Sequence, residues 1–148
     1  MRAHGHSKAA RKFQFMKVPS ARFGVHRLFE QIGLPIKGLE DGFGWKIHDV
    51  ENSAQLAREG WTKAKASRLS GDSFGVVLHE LTNSLIDGWL PLRDMLDALR
   101  ARPLSVHVCI TGRRCPEELI GMADTVTEMR KIKCAYGAGS PVRCGIED

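Results

Sequence analysis

The chain has 148 residues, 43% of them hydrophobic and 26% charged, which is the make-up of one soluble globular domain over residues 1–148 and excludes wholesale disorder. No run approaches the roughly 18 apolar residues of a membrane-spanning helix, and the basic opening MRAHGHSKAARKF leads into no apolar signal region. Twenty-two Lys and Arg against 17 Asp and Glu give a formal charge of +5, which suits an anionic ligand or a plain solvated surface; with no dense basic tract interleaved with aromatics, nucleic acid is not an expected partner.

In chain order, Lys12–Met16 alternates with Phe13 and Phe15 on one face, although Arg11 and Lys12 are polar for a central parallel strand. Arg27–Ile32 has a helical pattern stopped by Gly33 and Pro35. Glu51–Leu69 is the longest helix expected, with Ala54, Ala57, Trp61 and Ala64 at helical spacing. Phe74–Leu78 is apolar and β-branched behind the turn-like Ser70-Gly71-Asp72-Ser73, and predicts a buried strand. Pro91–Arg100 predicts a helix with proline at its start and Leu92, Met95, Leu96 and Leu99 on one face. A second strand is predicted over Leu104–Ile110, a helix over Pro116–Met122, and a third strand over Thr125–Met129. Three glycines and a proline mark 137–148 as irregular. Strands alternating with helices at this spacing predict an α/β fold with a parallel sheet. No internal repeat or linker divides the chain. Cys109, Cys115, Cys134 and Cys144 form no CxxC pair, and scattered thiols fit a reducing cytoplasm.

Open parallel sheets bind ligands at the carboxyl ends of their strands. The first predicted strand of the second half ends in Leu78-His79-Glu80-Leu81. An acid there can hold hydrated Mg²⁺ against nucleotide phosphates; a first-turn helix acid favoured by the dipole is the other reading of Glu80. His79 suits Mg²⁺ poorly, because imidazole prefers softer metals. His79-Glu80-Leu81-Thr82-Asn83 misses the HExxH zinc pattern, Asn83 standing where the second histidine is needed. The next strand ends in Thr111-Gly112-Arg113-Arg114, where glycine admits a ligand to the backbone and arginine pairs with phosphate; an ordinary loop has the same composition. Glu128-Met129-Arg130-Lys131-Ile132-Lys133 places further cations after the third predicted strand, and the three clusters are expected on one sheet edge. In Gly42-Phe43-Gly44-Trp45, two aromatics amid glycines form either a stacking wall for a flat ligand or a plug in the core.

Taken together, VVLHELTNSLIDGWLPLRDMLDALRARP, HVCITGRRCPEELIGMADTVTEMRKIK and the terminal GIED resemble the ATP:corrinoid adenosyltransferases of the bacterial cobalamin pathway. That family carries VVLDELN, ITGR-x-x-P-x-x-L-I, ADLVTEMR and a GIEF-like end. Gln14-Phe15-Met16-Lys17 resembles its QFIKG, and Gly42-Phe43-Gly44-Trp45 its GFTW. The resemblance implies a P-loop NTPase-like parallel sheet flanked by helices. It implies a Co(I) corrinoid that attacks the 5′ carbon of ATP, forming a cobalt–carbon bond and expelling triphosphate. Glu80 would be the Mg²⁺-linked catalytic acid. Thr111, Gly112 and Arg113 would lie at the nucleotide edge. Phe43 and Trp45 would lie on the corrin side, helping to remove the lower axial ligand. ATP and Mg²⁺ are the implied cofactors and the corrinoid the implied partner; a homodimer stays open.

The sequence departs from the family pattern in three places. No GxxxxGK followed by Ser or Thr occurs in it, and MRAHGH resembles the RALGHG that follows the family's GKGKT-like loop. A domain lacking the first strand and the P-loop is therefore expected. The Asp of the family's LDELN is His79 and its Asn is Thr82, and the glycine-acid segment after QFIKG has become VPSARFGV. A non-catalytic remnant that binds corrinoid alone is the alternative these departures raise.

Overall fold

A computed structural model describes residues 1–15, 24–33, 36–38, 50–69 and 73–146. Among these residues four strands, β1 (Ala10–Gln14), β2 (Ile36–Gly38), β3 (Gly75–His79) and β4 (His107–Ile110), form one sheet in the order β2-β1-β3-β4. Every pairing is parallel. Among the described residues six helices accompany it: α1 (Arg2–Gly5), α2 (Gly24–Gln31), α3 (Val50–Leu69), α4 (Leu81–Ile86), α5 (Leu92–Arg100) and α6 (Glu117–Met122). A 3-10 turn spans Tyr136–Ala138 in the tail. Among the described residues, no helix is long and apolar enough to cross a membrane.

The core lies on one side of the sheet. Side chains of a strand alternate between faces, and residues paired in a parallel register share a face. Phe13, Val76, Leu78 and Ile110 thereby fall on one face, and all pack in the core cluster. Ala57, Trp61 and Ala64 of α3 cover that face, with Met95 and Leu99 of α5 and Leu119 of α6. Each large side chain so buried contributes about 1.5–3 kcal/mol. The two longest helices are tied at their margin. The Trp61 indole N–H donates to Asp94 Oδ2 (2.6 Å), and Lys65 Nζ lies 2.8 Å from the same oxygen. The opposite face carries Lys12, Gln14, Val77, His79, His107 and Cys109. Its β1 side lies beside α2, where Lys12 Nζ stands 5.9 Å from the centre of the Phe29 ring. Toward β4 it opens to solvent, with His107 and Cys109 exposed.

The elements depart from the sequence reading in four instructive places. The polar strand β1 is central, not peripheral. Its cations are accommodated: Arg11 Nη1 donates to Ser67 Oγ on α3 (3.2 Å), and Lys12 runs over Phe29. Long basic side chains place their stems on the sheet and carry the charge to a partner. Secondly, β4 begins at His107 rather than Leu104, which is 94% exposed. His107 pairs with Gly75, the first residue of β3, and its N–H bonds to the Phe74 carbonyl, so the ladder starts there. Phe74 is likewise outside β3 and 40% exposed. Finally, Thr125–Met129 is not a strand: it has no regular structure, and Val126 and Met129 are exposed. A strand needs a ladder partner, and β-branched composition alone does not provide one. The cations at 130–133 are therefore not carried to the sheet edge by a third strand of the second half. The helices stand close to expectation, with Pro91 and Pro116 as N-caps immediately before α5 and α6.

Candidate functional site at the carboxyl end of the sheet

The carboxyl ends of β3 and β4 are joined by side chains. Glu80 follows β3 directly and caps α4 in the left-handed conformation (φ 61°, ψ 24°). A non-glycine residue there carries a cost of about 1–2 kcal/mol, which its surroundings must offset. Three hydrogen bonds surround it. The Glu80 backbone N–H donates to Thr111 Oγ1 (3.1 Å). Asn83 Nδ2 donates to Glu80 Oε2 (2.7 Å), one helical turn on. Thr82 Oγ1 donates to the Arg113 carbonyl (2.8 Å), closing the α4 turn onto the loop after β4. The ladder itself runs to the same point, with Phe15 N–H bonded to the His79 carbonyl and Thr111 N–H to the Leu78 carbonyl.

Gly112 is dictated by this closure. Its φ of 154° disfavours an L side chain, and a Cβ there would collide with Thr82 Oγ1. Arg114 is also left-handed, at φ 48°. Gln14, at the same end of β1 and in register with His79, is 95% buried by its 5% relative exposure. Partial burial pushes the Cys115 thiol up from its ordinary value, because a thiolate is disfavoured away from water.

Of the residues singled out by sequence, the structure brings together Glu80, Thr111, Gly112 and Arg113. Arg113 enters through its backbone carbonyl, while its side chain is exposed. Phe43 and Trp45 lie outside the described residues. Two residues gain roles that sequence reasoning assigned to neither: Thr82 as the clasp on the loop after β4, and Asn83 as the amide on Glu80. Thr82 had a signal in the adjacent requirement for glycine at 112, and Asn83 in its i, i+3 spacing from Glu80.

The donor set at this end is oxygen-based. Among the described residues, no three His, Cys, Asp or Glu side chains gather as a metal cage. One carboxylate oriented by an amide fits Mg²⁺, which keeps several waters and takes its other oxygens from a phosphate substrate. It does not fit zinc, which needs three or four protein ligands.

Comparison with known proteins agrees with the order of these motifs. A sequence model of the family described as ATP:corrinoid adenosyltransferase BtuR/CobO/CobP matches residues 1–147. A corrinoid adenosyltransferase of Escherichia coli K12 is 35% identical over 146 residues, spanning 99% of this chain and 74% of the relative. The corrinoid adenosyltransferase CobA of Salmonella typhimurium is 35% identical over 148 residues with the same coverage. One from Pseudomonas aeruginosa is 36% identical over 151 residues, covering 99% and 72%. A match of this length, running in order through the segments that build the β3 and β4 ends, is one of common descent, and the chain belongs to the ATP:corrinoid adenosyltransferase family.

Proposed function

We propose that residues 1–148 form a single domain of P-loop-like α/β type whose β3 and β4 ends serve adenosyl transfer. The reaction moves the 5′-deoxyadenosyl group of ATP to a Co(I) corrinoid. The cobalt electron pair forms the cobalt–carbon bond, the C5′–O bond breaks, and triphosphate leaves with that bond's electrons. The observation that carries the reading is the Glu80 carboxylate, held by Asn83 at a strand end that Thr111, Thr82 and Arg113 join to β4. Glu80 would hold Mg²⁺, which when bound neutralises charge on the triphosphate. Thr111 fixes the Glu80 backbone, and Thr82 with Gly112 holds the loop after β4 close, keeping the Arg113 and Arg114 side chains at the nucleotide edge. Phe43 and Trp45 would face the corrin. The free thiols suit a reducing cytoplasm.

No GxxxxGK followed by Ser or Thr occurs in the chain. Three fewer charged hydrogen bonds amount to about 4–9 kcal/mol, so Mg-ATP should bind at least about a thousandfold more weakly than to a protein with such a loop. Imidazole at position 79, where the family carries a carboxylate, supports a second reading in which the chain binds corrinoid without transferring the adenosyl group. One experiment separates the two. The purified chain is mixed anaerobically with a Co(I) corrinoid and Mg-ATP, and cobalt–carbon bond formation and triphosphate release are followed. Product supports transfer. Corrinoid binding without product supports the second reading. Absence of both overturns each of them.

A further inference from the structure

Glu80 stands at the N-cap of α4, yet its carboxylate makes no capping hydrogen bond to the backbone of that helix. An acid at this position ordinarily accepts from an N–H of the first turn. Here, on a left-handed backbone, the carboxylate is met by a side chain instead: Asn83 Nδ2 donates to Oε2 across 2.7 Å. Residues three apart on a helix face one another and residues two apart do not, so the first turn reaches the carboxylate from position 83 and not from 82. Thr82 is in any case engaged with the Arg113 carbonyl. Among the described residues the Asn83 bond is the one hydrogen bond to the Glu80 carboxylate, which leaves Oε1 as the oxygen open to a ligand. The main chain resists turning the group round, because the Glu80 N–H is held on Thr111 Oγ1 at 3.1 Å.

We infer that Asn83 sets the choice of divalent cation at Glu80, by making the carboxylate a one-oxygen ligand. This rests on Glu80 being the Mg²⁺-linked acid. Mg²⁺ demands near-octahedral geometry, keeps several waters and is held by one or two carboxylates beside the substrate phosphates. Ca²⁺ takes about six to eight oxygens in flexible geometry, and one carboxylate often supplies two of them. A hydrogen bond on Oε2 opposes that two-oxygen mode, since the amide N–H must be given up or shared before Oε2 turns to a cation. A hydrogen bond to a charged group corresponds to a factor of about ten or more in an equilibrium constant. The penalty falls on Ca²⁺ and spares Mg²⁺. Asn83 acts through Glu80 and is therefore a positioning residue.

The test is calorimetric titration of the chain with Mg-ATP and with Ca-ATP, carried into the millimolar range, with the ratio of the two affinities as the readout. Asn83→Ala and the nearly isosteric Asn83→Leu each remove the donor. The parent should favour Mg-ATP, and both variants should lower that preference about tenfold, chiefly by gaining affinity for Ca-ATP. Asn83 is only partly buried, so circular dichroism of the variants should match the parent. A merely structural role would weaken both nucleotides together and leave the ratio where it was; that result, parity of the two cations in the parent, or unfolding of both variants overturns the inference. Glu80→Gln separates it from the reading of the site beneath it. Mg-ATP affinity lost in Glu80→Gln with an unmoved ratio in the Asn83 variants sinks the role of Asn83 alone. Mg-ATP affinity unchanged in Glu80→Gln, or no binding of either nucleotide by the parent, sinks the Mg²⁺ role of Glu80 and that of Asn83 with it.

Discussion

The hydroxyl of Thr82 donates to the carbonyl of Arg113 across 2.8 Å, and the space between their two segments has no room for a Cβ at Gly112. The clasp and the glycine therefore act as one device. Gly112→Ala should destabilise the fold by about 1–3 kcal/mol, the usual cost of a strained backbone position. Combining it with Thr82→Ala should cost less than the sum of the two single changes, because the collision partner is gone. Urea unfolding of the four proteins gives the coupling, and strict additivity would show that the two residues act separately.

Glu80 trades conformational ease for a placed carboxylate. Glu80→Gly removes the left-handed penalty and should hold or raise stability, by about 1 kcal/mol. If the carboxylate anchors Mg²⁺, the same change should weaken Mg-ATP binding. Glu80→Gln keeps the backbone strain and isolates the charge. Calorimetric titration beside thermal unfolding reads both effects. Lower stability of the glycine variant with unaltered Mg-ATP affinity would return Glu80 to the role of an ordinary helix acid.

Corrinoid binding is the sharpest test of the Gly42–Trp45 segment. Trp45→Ala should weaken corrinoid affinity by about 0.5–1.5 kcal/mol beyond the loss of buried area, the usual contribution of an aromatic stack. Lys63→Ala, on the exposed face of α3, should leave it unchanged. Equal affinities of the two variants in an absorbance titration would mean that Trp45 packs within the protein.

The Cys115 thiol is raised by partial burial. Its neutral form is favoured in the folded state, so its contribution to stability is full below the unfolded pKa and is lost as pH rises through the folded one. At neutral pH it should react with iodoacetamide more slowly than cysteine in a short peptide, and urea should equalise the two rates. An unchanged rate on unfolding would contradict the shift.

Much of the fold is legible in the sequence because helices announce themselves locally. Ala57, Trp61 and Ala64 recur at helical spacing, and Met95, Leu96 and Leu99 make the inner stripe of α5; all six are buried. Strands are harder, since their existence depends on what lies opposite. Thr125–Met129 has the composition of a strand and no ladder, and Leu104 precedes the point where β3 begins. The centrality of β1 was hidden for another reason: polarity at Arg11 is settled by Ser67, 56 residues away. At the site, Glu80 and the Thr111–Arg113 stretch are recognisable from strand ends alone. The left-handed turn at Glu80 and the Thr82 clasp come from tertiary closure, which no local pattern encodes.

The single-sided core has a consequence for how this chain tolerates change. In most parallel sheets, saturation mutagenesis meets resistance at nearly every strand position. Here tolerance should alternate residue by residue in the second half of the sheet. Val76, Leu78, Val108 and Ile110 should reject polar replacements, while Val77, His107 and Cys109 accept them. Such a two-residue rhythm is the signature of a half-exposed antiparallel sheet, and finding it in parallel strands would show the open face directly in the pattern of permitted substitutions.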